Sequence, residues 1–513
     1  MLVKTFGSAL TGIDATTICV EVNISVGINF FLVGLPDNAV KESLHRISAA
    51  FETNGFKMPG RKITVNLSPA DLRKEGSAYD LPIALGILGA SEQISAELLD
   101  KFVIMGELSL DGTLRPIKGA LPIAIQARKE GFRGLILPAE NAREAAVVDT
   151  LEVYGVNTLA EVIDFLNGEK NLSRTEVDTR QEFFDKSTRF DIDFNEVKGQ
   201  SHVKRALEIA AAGGHNVIMI GTPGSGKTML AKRIPTIMPP MTLHEALETT
   251  KIHSVAGKIG NEGGLITHRP FRSPHHLASE VAIVGGGSSP VPGEISLSHN
   301  GILFLDELPE FSRSVIEVLR QPLEDKRITI ARARYSVEYP SNFMLVASMN
   351  PCPCGYLGHP SRECTCTPTQ ITRYMSRVSG PVMDRIDMHV EVSPVPFELM
   401  TGESVNAELS DQIRQRVIAA RNIQTQRFAE DNIHSNAMME SRHLKQYCKL
   451  DTQSRILMNR AMERFGLSAR AHDRILKVAR TIADLDAKEN IQAEHIAEAI
   501  GYRSLDRSVW GVK

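Results

Sequence analysis

Residues 217–230 constrain this chain more than any other stretch. Four apolar residues, Val217, Ile218, Met219 and Ile220, run into Gly221, Thr222, Pro223, Gly224, Ser225, Gly226, Lys227 and Thr228. Met229 and Leu230 then open a helical pattern. The eight-residue run fits the pattern of glycine, four residues, glycine, lysine and serine or threonine. A buried strand, a glycine-rich turn and a helix start, in that order, predict an α/β fold with a parallel sheet. The glycines let the backbone wrap a phosphate where a side chain would collide. The helix N-terminus then offers free N–H groups and a positive dipole end. On this reading Lys227 reaches the outer phosphates of ATP and Thr228 holds Mg²⁺. The alternative, a chance glycine-rich turn, does not account for the strand before it and the helix after it.

At 513 residues the chain is too long for one ordinary core, so two to four domains are expected. Apolar residues make up 42% and charged residues 23%, as in ordinary globular protein. A net charge of −3 gives no global attraction to a polyanion, so any such site must be a local patch. No apolar run is long enough to span a bilayer, and residues 1–7 lack a signal peptide's apolar segment. The expected location is cytoplasmic, without a membrane partner.

Residues 1–167 alternate strand and helix signals. Strands are expected at 18–22, 62–67 and 135–137, and helices at 38–51 and 120–129. A hairpin with an Asp-Gly turn is expected at 106–114. Residues 168–193 turn polar and charged and read as a linker, with Phe183, Phe184 and Phe190 as its few large apolar groups. Residues 194–397 carry three buried strand candidates, at 217–220, 302–305 and 343–347. Residues 398–513 are nearly all helical in pattern, with candidates at 407–423, 452–465, 469–485 and 493–502.

The second chemical motif is Ile302, Leu303, Phe304 and Leu305 ending in Asp306 and Glu307. Two carboxylates at the carboxyl end of a central strand lie where ligands sit in open α/β sheets. Asp306 is expected to help bind Mg²⁺, and Glu307 to orient and polarise the attacking water. A solvent-exposed acidic strand end is the bland alternative. The third motif is the strand candidate that ends in Asn350. Its amide is placed to sense a γ-phosphate, against a turn-forming Asn before Pro351 as the alternative.

Together with Val197, Lys198, Gly199 and Gln200, these motifs resemble those of the AAA+ ATPases. Three further segments are similar to the magnesium-chelatase-like and replicative-helicase clade. They are an insertion holding residues 269–276, a hairpin over 326–339 and a motif over 380–387. With the cysteine cluster and the N-terminal region, the whole chain resembles the YifB family of bacterial competence proteins. That resemblance implies an N-terminal Lon-protease-like α/β domain, an AAA+ parallel-sheet core and an all-helical C-terminal lid. It implies that Arg385 acts as an arginine finger in a neighbour's ATP site and Arg470 as a second sensor at the start of a lid helix. A finger acting in trans implies a ring, expected to be a homo-hexamer. The N-terminal region resembles Lon proteases over 74–80 and 106–121. Alignment puts Ala78 at the serine position of their Ser–Lys dyad and Leu121 at the lysine position. Ser77 and Lys118 lie close by and offer a shifted dyad on paper. The expectation is a non-proteolytic domain, reused for assembly or DNA contact.

Four of the six cysteines form two Cys-x-Cys hooks, Cys352 with Cys354 and Cys364 with Cys366. Four clustered thiols in a reducing compartment suit a structural Zn²⁺. A reducible disulfide pair or free thiols are the alternatives, and His359 is a possible substitute ligand. A metal-held loop beginning two residues after Asn350 is placed to couple phosphate sensing to a neighbouring subunit or to DNA.

Arg332 and Arg334 fall near the tip of the expected hairpin, where a ring motor would grip a phosphodiester backbone. Ordinary surface arginines are the alternative. Arg269, Arg272, His275 and His276 form a second basic cluster, open to DNA or to a neighbouring subunit. The resemblance implies an ATP-driven DNA motor, a branch-migration helicase promoting strand integration in natural transformation and homologous recombination. Its partners would be single-stranded and branched DNA, with recombination proteins as further candidates. The alternatives are the ATPase subunit of a metal chelatase and an ATP-driven protein remodeller. The first lacks an Asp-x-Ser-x-Ser motif in this chain to serve as metal-adhesion site.

Overall fold

The structure, a computed structural model, describes residues 1–186, 189–260, 263–287, 290–332, 335–395, 408–431 and 433–503. The chain forms two compact units. The first comprises Met1–Lys186, Thr242–Thr267 and Pro290–Pro292, and the second Ser187–Met241, His268–Ser289 and Gly293–Lys513.

The first unit is built on a mixed seven-stranded sheet. Its order is Phe30–Val33, Lys62–Ser68, Asp14–Ser25, Leu2–Thr11, Phe102–Ile104, Gly134–Pro138 and Glu152–Val156. The period-two pattern of Lys62–Ser68 buries Ile63, Val65 and Leu67 on one face. The helix Asp80–Ala90 is apolar nearly throughout and is buried at every residue. The expected hairpin pairs Glu107–Leu108 with Leu114–Arg115, and Gly112 takes the left-handed φ of +85° that its turn requires. The single helix expected at 38–51 is instead two helices, Asn38–Lys41 and Ser43–Thr53, divided at Glu42. The polar stretch read as linker carries a helix of its own, Thr179–Lys186, with Phe183 buried and Phe184 exposed.

The second unit holds a five-stranded sheet, all parallel. Its order is Phe271–Arg272, Ile302–Leu305, Met344–Met349, Val217–Gly221 and Met388–Val392. Three of these strands are the ones the apolar runs predict. Phe271–Arg272 is too short to show a period. In Met388–Val392 the alternation Met-His-Val-Glu-Val is a short strand signal that the apolar-run criterion passes over, and its His389 is buried. Parallel register aligns the strand ends: Val217 pairs with both Val346 and Met388, and Leu305 with Ala347. Gly221, Asp306 and Asn350 therefore leave the sheet along one edge.

Helices Ser410–Arg427, Ser441–Tyr447, Thr452–Phe465, Ala469–Leu485 and Ala493–Gly501 follow. Asp451 and Ser468 cap two of them at their N-termini, and Gly466 ends Thr452–Phe465 at φ +54°. These helices share one apolar core with the sheet, joining Met219, Phe304 and Val346 to Ile475, Ile482 and Ile496. Arg474 of the lid donates to the Asp384 carbonyl at 2.7 Å and pairs with the buried carboxylate of Asp387. Asp387 in turn accepts from the Asn216 backbone N–H at 2.9 Å, just ahead of the strand Val217–Gly221. Among the described residues, no helix is long and apolar enough to cross a membrane.

Candidate ATP-hydrolysis site

The glycine loop leaves the strand Val217–Gly221 and enters the helix Lys227–Ile237. Its glycines divide the work. A Cβ on Gly221 would lie 2.2 Å from the Val392 carbonyl oxygen, so this glycine is required by the neighbouring strand. Gly224 and Gly226 sit at φ +77° and +88°, and a Cβ on either would meet nothing within 4 Å. The backbone there is free to curl around an anion. The hydroxyls of Thr222 and Ser225 are buried without a hydrogen-bond partner, as expected of groups that face a phosphate.

Lys227 is buried and donates to the carbonyls of Gly221 at 2.6 Å and Thr222 at 3.0 Å. It also reaches Asn350 Oδ1 at 3.3 Å. Burial pulls its ammonium below the usual lysine value, and the charges of Asp306 and Glu307 oppose that fall. Thr228 Oγ1 donates to Asp306 Oδ2 at 2.7 Å, which joins the two Mg²⁺ candidates directly. Hydroxyl and carboxylate oxygens form the hard donor set that Mg²⁺ takes. Glu307 stands at φ +53°, in the left-handed region that is sparsely populated by non-glycine residues. His276 approaches its carboxylate at 3.8 Å.

The sequence reading missed two residues of this site. Ser348 donates to the Asp306 carboxylate and lies 3.4 Å from the Glu307 backbone N–H. A lone serine in the otherwise apolar strand Met344–Met349 was the available signal. Tyr374 is buried beside Asn350; burial pushes its phenol up to about 12, and the Asn350 backbone N–H opposes that rise.

The remaining candidates lie apart from this group. Arg385 precedes the strand Met388–Val392, at the amino edge of the sheet, while the ATP residues lie at the carboxyl edge. A five-residue strand spans about 15 Å. Arg385 is buried, bonded to the Pro381 carbonyl at 2.6 Å and to Glu324 at 2.5 Å. Arg470 is exposed in the first turn of Ala469–Leu485, where the helix dipole disfavours a cation. Of the basic cluster, Arg272 is held by Glu294 at 2.6 and 2.7 Å, and Arg269 donates to the carbonyls of Pro239 and Asn300. These arginines brace the chain's own loops. Arg327–Arg332 and Tyr335–Pro340 form the expected hairpin, in which Arg327 pairs with Glu338 at 2.8 Å. Arg334 lies outside the described residues, and Arg332 is placed only as the end of its strand.

The sulfurs of Cys352, Cys354, Cys364 and Cys366 all lie within 4.8 Å of one another. Cys352 and Cys354 are 3.3 Å apart, and each lies 3.6 Å from Cys364. Four thiolates about 2.3 Å from a tetrahedral ion would stand roughly 3.8 Å apart, so the group fits one metal ion. Backbone N–H groups, Tyr356 first, pull the Cys354 thiol down to about 6. His359 is not part of the cluster; its Nδ1 accepts from the Ser361 and Arg362 backbone at 3.1 Å.

In the first unit, Ala78 and Leu121 meet in one apolar cluster with Met105, Ile123 and Leu137. Hydrocarbon therefore fills the two dyad positions. Ser77 donates instead to the Glu107 carboxylate, and the Lys118 stem packs near Gly257.

Fold and site define an AAA+ ATPase, with a Lon-protease-like domain before its core. Residues 193–400 match the family model for magnesium chelatase, subunit ChlI. Residues 20–141 and 407–503 match the models for subunit ChlI of Mg-chelatase and for the ChlI C-terminal region. The chain is 44% identical to the competence protein ComM of Haemophilus influenzae, over 98% of this chain and 97% of that protein. It is also 44% identical to protein YifB of Escherichia coli, over 97% of this chain and 96% of that one. Lon protease 2 of Bacillus subtilis is 31% identical over 126 residues, 24% of this chain and 22% of the protease. The chain belongs to the ComM/YifB family of magnesium-chelatase-like AAA+ ATPases.

Proposed function

We propose that this ATPase is the subunit of a cytoplasmic homo-hexameric ring that drives DNA strands past one another, a branch-migration helicase. The observation that carries the reading is the placement of Arg385 at the sheet edge opposite the ATP residues. One chain does not complete its own site, and a neighbour would complete it. Bound Mg-ATP supplies the phosphoanhydride whose cleavage drives the ring. Gly224, Gly226 and the N-terminus of Lys227–Ile237 cradle its phosphates, and Lys227 turns to the outer ones. Thr228 and Asp306 hold Mg²⁺, and Ser348 fixes the Asp306 carboxylate. Glu307 orients the attacking water, Asn350 senses the γ-phosphate, and Arg470 reads the nucleotide from the lid. Cys352, Cys354, Cys364 and Cys366 hold Zn²⁺ as a structural ion.

DNA as the driven partner is supported by the family's competence protein ComM and by local positive charge. A cleft of about 1120 Å³ beside the cysteine cluster is lined by Arg313, Arg373 and Arg377, with Arg377 paired to Glu310. Natural transformation and recombination are the processes such a motor would serve.

The test is the ATPase rate with and without single-stranded and branched DNA, with Lys227→Ala as the blank. Stimulation that the variant lacks and that high salt removes supports the motor. A basal rate indifferent to every DNA rejects it and favours the second reading, a chelatase-type ATPase, which the three family matches support.

A further inference from the structure

We propose that the cysteine loop is a positioning strut for the nucleotide loop, acting through Gly355 on Pro223. This deepens the Zn²⁺ reading above and rests on it. Gly355 lies between the hooks at φ +85°, and its N–H donates to the Cys352 carbonyl at 3.0 Å. A Cβ on Gly355 would fall 2.6 Å from Pro223 Cδ and 2.7 Å from Cγ. The loop backbone is therefore in contact with the one ring in the phosphate loop. A proline ring is tied back to its own backbone nitrogen and has only its small pucker with which to give way.

Both ends of the cysteine loop are tied to the same site. Asn350, two residues before Cys352, accepts from Lys227, and its backbone N–H faces the Tyr374 phenol and lowers its pKa against the rise that burial causes. Tyr374 belongs to the helix Pro368–Met375, which begins two residues after Cys366. Between these anchors, the Cys354 N–H donates to Cys366 Sγ at 3.3 Å and closes one hook onto the other. Cross-linking four sulfurs fixes where Gly355 stands, and Gly355 fixes how far Pro223 can retreat. With the hooks unlinked, the fifteen-residue loop 352–366 regains its chain freedom and the contact loosens. On this geometry the cluster bears on the chain's own ATP loop, in addition to any neighbour.

The experiment measures affinity for a fluorescent ATP analogue, together with bound zinc per chain, in the full-length protein. Gly355→Ala is expected to weaken nucleotide binding at least tenfold with zinc content unchanged. In a Pro223→Ala background, which carries its own cost, Gly355→Ala is expected to cost clearly less, because the ring it strikes is gone. Cys364→Ser is expected to lose the metal and weaken binding, and Gly355→Ala should then add little. If Cys364→Ser fails to fold, wild-type protein stripped by a chelator replaces it. The strut is overturned if Gly355→Ala costs the same in both backgrounds, or if the metal-free protein binds nucleotide as tightly as the loaded one. Should the wild-type protein hold no metal, the Zn²⁺ reading fails, while the Gly355 and Pro223 pair still reports whether the contact matters.

Discussion

Glu324 holds the Arg385 guanidinium at 2.5 Å within a single chain, with the arginine side chain 8% exposed and the glutamate 53%. If Arg385 serves a neighbour as proposed above, it is parked here on a solvent-accessible partner that can release it. Its Nε is buried and without a partner, so the parked state leaves one donor unused. Arg385→Ala should lower ATP turnover by about 10³-fold while leaving nucleotide affinity nearly intact. Mixing it with Lys227→Ala chains should restore part of the rate, because each variant supplies what the other lacks. Steady-state ATPase across mixing ratios checks this, and no recovery at any ratio would rule out action in trans.

Ser348→Ala should cost about 10- to 100-fold in Mg²⁺-dependent turnover, since it removes the hydroxyl that orients Asp306. Titrating Mg²⁺ in the ATPase assay should show a raised half-saturation concentration. An unchanged Mg²⁺ profile would assign the serine a packing role only.

The joint between core and lid has a pH signature. Burial pushes the Asp387 carboxyl up, yet the Arg474 guanidinium holds it well below the usual carboxylate range. An unfolded aspartate titrates near pH ~3.9. The pair's stabilisation is therefore full above that value and is lost as pH falls toward the folded value. Asp387→Asn should cost up to about 3 kcal/mol at neutral pH, because it takes the buried carboxylate from a half-buried Arg474. The variant's denaturation midpoint should also fall less steeply than wild type's on acidification below about pH 4. Equal slopes would place the acid sensitivity elsewhere.

Replacing both Arg313 and Arg373 by Ala should weaken single-stranded DNA binding and flatten its salt dependence. The slope of log K against log[salt] should fall by about 1.4, at roughly 0.7 for each phosphate left without its arginine. Fluorescence anisotropy between low and moderate salt measures it, and an unchanged slope would remove the cleft from the DNA path.

Much of this was legible in the residues. The loop Gly221 to Thr228, the Asp306 and Glu307 pair and Asn350 each end a buried apolar run, and such runs mark parallel strands directly. The lid helices were legible because their apolar spacing is helical and their caps are ordinary, as at Asp451 and Ser468. The strand Met388–Val392 was passed over because its alternating Met-His-Val-Glu-Val is not the continuous apolar run of its neighbours, although His389 lies buried like them. Ser348 escaped notice because its role depends on a carboxylate 42 positions away in sequence. The contact of Gly355 with Pro223 is equally non-local, as is the bracing of Arg269 and Arg272, which sequence presents as a free basic cluster.

The apolar contact around Ala78 and Leu121 has a consequence for the history open to this domain. A lysine at 121 arriving first would place an ammonium among Met105, Ile123 and Leu137 with no serine to serve. A serine at 78 arriving first would find no base. Neither single step confers a selectable hydrolysis, and the lysine step costs stability at once. A Ser–Lys pair at these two positions would therefore need both changes together, with the ammonium housed in a space now filled by hydrocarbon.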